Sequence, residues 1–402
     1  MFSVLVRLFG LPQVAIAEDI VQETLIAALE AWKLHGLPDN PRAWLYRVAK
    51  NKTIDFLRRE RNFQAKLAPN LQIEAAQNVS PDQWLDDFFL DHEIQDAQLR
   101  MMFACCHPAI PIESQLALML RTLGGLSTKE IAAAFLQPED TISKRIFRAK
   151  EKIRLDKLLL QVPTGEALSP RLDAVLQAIY LLFNEGYKSS AEPSVIRPDL
   201  CREALRLGSL LASHPNGNLP RTHALQALMC FQGSRLETRL NDAGQIVLLE
   251  NQDRSRWNQA LIGLGYAHFH DANQGNDLSE YHLEAAIASY HIAAPSFDQT
   301  NWQAIFYCYE LLMQINPSPI VALNRAIVRG FSEGARAGID SLSKIADLDH
   351  NYLYHTALGD FHVKNNDVTA ALACYQKALD LVLLPAERQV IEEKIKNICP
   401  NL

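Results

Sequence analysis

The stretch Ser127–Leu155, STKEIAAAFLQPEDTISKRIFRAKEKIRL, decides how this chain of 402 residues is read. Ser127-Thr128-Lys129-Glu130 has the form of a capping box, with Ser127 as N-cap and Glu130 at the third helical position. It opens a short predicted helix, Thr128–Phe135. Leu136-Gln137-Pro138 breaks the pattern, and a longer helix is predicted over Glu139–Leu155. Within it Ile142, Ile146, Ala149 and Ile153 fall at i, i+4, i+7 and i+11, a single apolar stripe. Thr141, Ser143, Lys144, Arg145 and Arg148 lie off that stripe. A short capped helix, a tight break and a longer helix exposing cations is the helix-turn-helix arrangement. Its N-terminal residues would reach base edges while Lys and Arg hold phosphates. Helical hairpins that bind nothing share the pattern, and the turn lacks the glycine many such motifs use.

Charge points the same way once it is divided. The net charge of −7 looks wrong for a nucleic-acid binder. Residues 1–160 hold 20 Lys+Arg and 20 Asp+Glu, whereas residues 161–402 hold 19 and 26 and carry the whole excess. From Arg42 to Lys66 there are eight bases against two acids, and from Thr141 to Lys157 seven against two. Between them, Glu74 to Asp96 holds seven acids and no base. Two basic segments joined by an acidic one suit two sites on a polyanion; solvated helix faces are the plainer alternative.

Apolar residues recur at three- and four-residue spacing almost throughout, so the chain is predicted to be all-α. The hydrophobic fraction of 48% supports real cores. No run of 18 apolar residues exists, and the short apolar opening Met1–Gly10 lacks a cleavage signal. Seven scattered cysteines fit a reducing compartment, so a cytoplasmic location is expected. Breaks at 69–96 and near Val162–Pro170 divide the chain into 1–68, a linker 69–96, 97–160 and 161–402. In the first part a helix is expected from about Ala17 to Leu34. A second starts with Asn40 as N-cap and Pro41 at its first position and runs to about Arg61. Trp44, Leu45, Val48, Ala49, Phe56 and Leu57 can form its buried side, with Arg47, Lys50, Lys52, Arg58, Arg59 and Arg61 around the remainder.

Together these segments resemble the sigma-70 family, specifically its small extracytoplasmic-function (ECF) members. Ala17-Glu18-Asp19-Ile20-Val21-Gln22-Glu23-Thr24 is similar to their region 2.2. That resemblance implies that Glu18, Asp19, Gln22 and Glu23 grip the clamp helices of the polymerase β′ subunit. Pro41–Asn51, PRAWLYRVAKN, continuing through Asp55–Arg59, DFLRR, is similar to regions 2.3–2.4, which melt and read the −10 element. It assigns promoter DNA contacts to Arg47, Lys50, Asn51, Arg58, Arg59 and Arg61. Gly124–Ile153 is similar to region 4, which reads the −35 element and contacts the β flap. Aromatics beside cations suit unstacked single strands. Trp44, Tyr46, Phe56 and Phe63 lie in the basic segment, although plain core packing is the favoured reading for Trp44 and Phe56. The family's region 2 begins with a full helix before region 2.2. Only about Phe2–Phe9 precedes it here, so either the start lies upstream or region 2 is shortened.

Cys105-Cys106-His107-Pro108, Leu181–Tyr187 (LLFNEGY) and Asn251–Trp257 (NQDRSRW) resemble the ECF subgroup with a C-terminal TPR-like extension. In that subgroup the extension regulates the sigma factor, which implies regulatory or docking roles for Asn184, Glu185, Tyr187, Arg235, Gln252, Asp253, Arg254, Arg256 and Trp257. The last of these motifs could be a docking surface or a ligand site, and a buried polar network closing a loop explains it equally well. Leu358, Gly359, Ala371, Tyr375 and Ala378 fit the small/large pattern of a TPR hairpin, with Ile305, Tyr309, Leu312 and Pro317 in comparable places. An irregular helical bundle is the alternative. The extension's acidity suggests that it folds back and masks the DNA-facing cations.

Enzyme chemistry, cofactors and metals are not expected. There is no phosphate loop, dinucleotide fingerprint or nucleophile elbow. Cys105-Cys106-His107 lacks zinc spacing and reads as core cysteines with a capping His. The histidines at 268, 270, 282, 291, 350, 355 and 362 show no ligand pattern. The expected function is therefore that of a sigma factor with RNA polymerase core and promoter DNA as partners. Two alternatives are a helix-turn-helix regulator with a TPR-like sensor and a TPR adaptor without DNA binding.

Overall fold

The computed structural model describes residues 1–10, 13–67, 90–135, 137–156, 161–163, 165–188 and 196–399. Among them the regular structure is helical, with one isolated bridge between Leu240 and Ile246. The chain forms two compact units, Met1–Leu182 and Phe183–Leu402.

In the first unit, α1 (Phe2–Phe9) leads to α2 (Val14–His35) and α3 (Pro41–Leu67). Asn40 Oδ1 accepts from the Ala43 amide at 3.0 Å and caps α3, as the Asn-Pro pair predicts. Ala49, Thr53 and Ile54 are its buried positions, while Trp44, Leu45, Val48, Phe56 and Leu57 are only half-buried. Phe56 meets Phe9 edge-on at 5.5 Å, and Trp44 meets Trp32 at 5.6 Å. Most of the acidic linker, residues 69–89, lies outside the described residues. Asp91–Asp96, expected in that linker, are instead the first turns of α4 (Asp91–Cys105). The reason is packing: Ile94 and Ala97 are buried against Val4 of α1. Arg7 of α1 pairs with Glu93 and, at 3.1 Å, with Asp96.

Beyond α4 come α5 (Ile112–Thr122), α6 (Thr128–Ala134) and α7 (Glu139–Leu155). α7 packs on α5 and α6. Its stripe of Ile142, Ile146, Ala149 and Ile153 is the part that is buried. α8 (Leu168–Tyr187) begins in this unit, where Arg171, itself buried, donates to the Phe103 carbonyl at the end of α4. Leu182 comes close to Gly124.

The second unit places α9 (Pro198–Ala212) and α11 (Gln259–Ala272) against α10 (Pro220–Gly233), which is buried along most of its length. Next come α12 (Glu280–Ala293), α13 (Trp302–Ile315), α14 (Pro319–Glu333), α15 (Ala335–Leu342), α16 (Tyr352–Lys364), α17 (Val368–Leu381) and α18 (Pro385–Ile398). α14, α16 and α18 start 33 residues apart, as do α13, α15 and α17. That period, and the packing of α14 with α15 and α16 with α17, is a TPR-like repeat. The interlock is small against large. A Cβ on Gly359 would lie 2.5 Å from the Tyr375 ring, and one on Gly330 would lie 2.2 Å from the Phe361 ring. Ile305, Leu312, Ala371, Tyr375 and Ala378 are buried, as the spacing predicts. Trp302 and Phe331 stack at 4.5 Å, and Phe331 meets Phe361 at 5.9 Å, so aromatic rings run from one repeat to the next. α18 buries only Ile391, the polar outer face expected of a terminal repeat.

Gly330→Val places a branched side chain where the Phe361 ring stands. It is expected to lower the stability of the extension by about 1–3 kcal/mol in urea unfolding; an unchanged midpoint would contradict the interlock.

Candidate nucleic-acid interface and the polar network of the extension

Burial on one side of α7 fixes what the other side offers. At 100° per residue, Lys144 points directly away from the stripe and Arg148 outward beside it, while Thr141 and Arg145 flank the stripe on one side and Ser143 on the other. Exposure follows that geometry: Ser143, Lys144 and Arg148 are exposed, while Thr141 and Arg145 are half-buried. Phe147, on the same outer side, is 65% exposed. Ser127 Oγ accepts from the Glu130 amide at 3.2 Å and Glu130 Oε2 accepts from the Ser127 amide at 2.6 Å, so the capping box forms as predicted. Lys144 pairs with Asp140 at 2.6 Å, a contact exposed on both sides and therefore easily exchanged for a phosphate.

On α3, Arg47, Asn51 and Arg58 fall at i, i+4 and i+11 on the side opposite buried Ala49 and Thr53. Arg47, Asn51, Arg58 and Arg59 are exposed and Lys50 is half-buried. The side chains of Arg61 and Phe63 lie outside the described residues. Tyr46 accepts the N-terminal ammonium at 2.9 Å. Trp44 and Phe56, each half-buried against another aromatic, pack as core edges.

α2 buries Ala17, Ile20, Thr24 and Ala28. Asp19, Gln22 and Glu23 are exposed on the far side. Beside them stand Leu25, Ile26 and Leu29 at 46%, 56% and 72% exposure. Sequence reasoning took only the polar residues of this face and missed the apolar ones. Glu23 pairs with Lys52 at 3.0 Å, and Glu18 is held by Lys150 of α7.

Cys105 and Cys106 are buried thiols. Cys105 lies 3.5 Å from Thr122 Oγ1, Cys106 lies 3.9 Å from Met119 Sδ, and burial pushes the Cys105 thiol up to about 12. His107 Nδ1 accepts from the Ala109 amide at 3.2 Å, closing the turn after α4.

In the second unit, Tyr187, Gln252, Arg254 and Trp257 of the two remaining motifs meet in one polar network. Arg235 donates to the Tyr187 hydroxyl at 3.2 Å, and the Arg239 guanidinium sits 3.7 Å over the Tyr187 ring. Trp257 Nε1 donates to Thr238 Oγ1 at 3.1 Å, and Thr238 also meets Gln252 at 3.3 Å. Arg254 lies 4.6 Å over the Trp257 ring and donates to the His291 carbonyl at 2.5 Å and the Ala294 carbonyl at 3.0 Å, tying the loop to the end of α12. Glu185 is buried and Asn184 half-buried. Asp253, which caps the turn through Ser255, and Arg256 remain exposed. Thr238 and Arg239 were missed from sequence; their only signal is position next to Arg235. Asn241–Gly244 forms the predicted turn, with Gly244 at φ 76°. The segment after it, Ile246 to Asn251, forms one wall of a cavity of about 1160 Å³ whose other walls are α14, α16 and α18. Asp360 projects there and accepts from Tyr375 at 2.6 Å and Lys394 at 2.7 Å.

The His291 side chain is half-buried beside this network, with Nδ1 shielded from solvent. Burial first, then Arg235 and Arg254, lower its pKa to about 4. The unfolded chain therefore binds a proton here below about pH 6.5 that the folded chain refuses until about pH 4. Stability is full above that window and falls as pH drops through it. Replacing His291 by Phe is expected to remove this residue's share of the acid loss between pH 6.5 and 4 in pH-dependent unfolding; an unaltered acid limb would contradict the assignment.

Comparison with known proteins places three families on the chain. Residues 1–63 match Sigma-70 region 2, residues 100–153 match Sigma-70 region 4, and residues 171–273 match a family of unknown function, DUF6596. Uncharacterized protein R00370 of Rhizobium meliloti (strain 1021) is 33% identical over 384 residues, 95% of this chain and 90% of that protein. The ECF RNA polymerase sigma-E factor of Salmonella typhimurium (strain LT2) is 31% identical over 138 residues, 34% of this chain and 70% of its own, and that of Escherichia coli (strain K12) matches to the same extent. Yeast Tom70 is similar over 96% of this chain and 81% of its own at TM-score 0.32 and 13% identity, a likeness too slight to argue from.

Proposed function

Because the chain belongs to the ECF sigma factors and directs promoter recognition and transcription initiation by RNA polymerase, we propose that it divides this work among helical parts. Residues 1–68 bind the polymerase clamp and the −10 element, and residues 97–160 read the −35 element and meet the β flap. Residues 69–96 join the two. Residues from 161 onward regulate, with α8 as the bridge. The observation that carries this reading is the α7 face: one buried apolar stripe, and Lys144, Arg145 and Arg148 turned toward solvent or beside it. Arg47, Lys50, Asn51, Arg58, Arg59 and Arg61 serve the −10 element, with Thr141 and Ser143 at base edges and the α7 cations on phosphates.

Glu18, Asp19, Gln22 and Glu23 form the polymerase-binding edge of α2. The exposed Leu25, Ile26 and Leu29 beside them support a protein partner, the β′ clamp helices, because apolar area ringed by polar groups is what a docking surface requires. Core enzyme must displace Lys150 from Glu18 to use the whole edge. The chain acts by binding, without bond chemistry of its own, in the cytoplasm where polymerase works. In the extension, Asp253 and Arg256 face solvent as docking groups. Asn184, Glu185, Tyr187, Arg235, Gln252, Arg254 and Trp257 frame the loop that presents them.

Replacing Lys144, Arg145 and Arg148 by Ala is expected to weaken promoter binding. The slope of log K against log salt should become shallower by about 0.9 for each phosphate contact removed. An unchanged slope in filter binding or fluorescence titration would refute the α7 assignment.

The excess acid of residues 161–402, 26 against 19 bases, makes the extension a suitable intramolecular partner for the DNA-facing cations. A chain ending after Lys188, which keeps α8 whole, tests regulation. Promoter binding rises if the extension masks the cations, and transcription falls if the extension is required. Unchanged binding and unchanged transcription would together refute a regulatory role.

A further inference from the structure

The second unit brings together three metal-ligating side chains that no motif of the sequence singles out: His223, His268 and Asp271. His223 is on α10 and only 8% exposed. His268 and Asp271 are on α11 at i and i+3, one turn apart on a single face. α10 and α11 pack directly against each other. His223 Nδ1 lies 2.9 Å from His268 Nδ1 and 3.9 Å from Asp271 Oδ2, and the three ligand atoms lie within 4.8 Å of one another.

The other nitrogen of His223 is spoken for. Nε2 lies 2.7 Å from Asn218 Oδ1. An amide oxygen only accepts, so with the amide assigned this way Nε2 carries the proton, and the Nδ1 lone pair is directed at His268 and Asp271. A ligating imidazole oriented by a hydrogen bond at its opposite nitrogen is the usual support of a histidine metal ligand. Two imidazole nitrogens and a carboxylate oxygen suit a divalent first-row ion of the zinc class. An ion bonded at about 2.0–2.1 Å to each nitrogen needs them about 3.4 Å apart at the tetrahedral angle. The observed 2.9 Å is short of that by a ring rotation. Asp271 is exposed and free of the close packing that would prevent a comparable adjustment.

We propose that His223, His268 and Asp271 form a site for a divalent transition-metal ion, with Asn218 orienting His223, and that the ion clamps α10 to α11. Three protein ligands leave a fourth position for water or a ligand from a partner. The site stands in the extension and does not depend on how the sigma modules bind DNA. Without an ion the same two rings share one hydrogen bond, and this is the rival the experiment excludes.

The full chain, stripped with chelator, is titrated with Zn²⁺ by calorimetry and with Co²⁺ by visible spectroscopy. One equivalent is expected, with a cobalt spectrum free of thiolate charge transfer, a necessary check in a chain with seven cysteines. Asp271→Asn, an exposed and structurally mild change, is expected to weaken binding at least tenfold, and Asn218→Ala 10–100-fold. His223→Gln with His268→Gln should abolish binding, whereas His270→Ala, on another face of α11, should leave it intact. Zn²⁺ should also raise the Tm of the wild-type chain and not that of the double variant, with circular dichroism of each metal-free chain showing that it folds. The proposal is overturned if the wild-type chain binds no more ion than a folded double variant, or if the cobalt spectrum shows thiolate ligation that the double variant retains.

Discussion

What the proposed −35 reader can turn toward DNA depends on which side of α7 is buried. Ile142, Ile146, Ala149 and Ile153 are sealed in the first unit, each at 8% exposure or less. A helix fixed along one stripe has no rotational choice left, so Lys144 and Arg148 must face outward, with Thr141, Ser143 and Arg145 set at the flanks. The capping box at Ser127 fixes where the preceding helix begins, and α5 supplies the surface on which α7 rests. A sigma factor does its work by holding groups in place. The same apolar burial that stabilises the unit therefore also aims its polar contacts.

The extension applies one device repeatedly: a small residue in one helix admits a ring from the next. Gly330 and Gly338 admit Phe361, and Gly359 admits Tyr375. The helix starts keep a 33-residue step through that region. Before the repeats, the fold changes character. Tyr187, Arg235, Arg239, Gln252, Arg254 and Trp257 are joined by hydrogen bonds and ring contacts that fasten an irregular loop to α8 and α12. Buried polar networks of this kind are costly when incomplete and specify a single arrangement when satisfied. The network is not closed throughout: Arg235 Nε and Arg254 Nη2 are buried without a hydrogen-bond partner among the described residues.

Much of this was legible in the sequence because it rests on local chemistry. The Ser127 box, the Asn40-Pro41 helix start, the α7 stripe and the turn at Asn241–Gly244 each need only a few neighbouring residues, and each appears where the spacing puts it. The TPR-like pattern was legible in Tyr375 and Ala378, although the step is 33 residues and not the 34 of the family average. What could not be read depends on partners far along the chain. Asp91–Asp96 look like linker until Ile94 and Ala97 are seen against Val4. Leu25, Ile26 and Leu29 read as ordinary helix apolars, and only the placement of α2 leaves them exposed. His223 and His268 are 45 residues apart, so no ligand spacing could reveal that their rings meet.

Run-off transcription with purified core polymerase and the full chain, on a promoter mapped after overexpression, examines the central claim most directly. Transcripts are expected from core plus this chain alone, with no other sigma factor present. Transcripts that appear only when a second sigma factor is added would contradict the account and would leave the chain as a DNA-binding regulator.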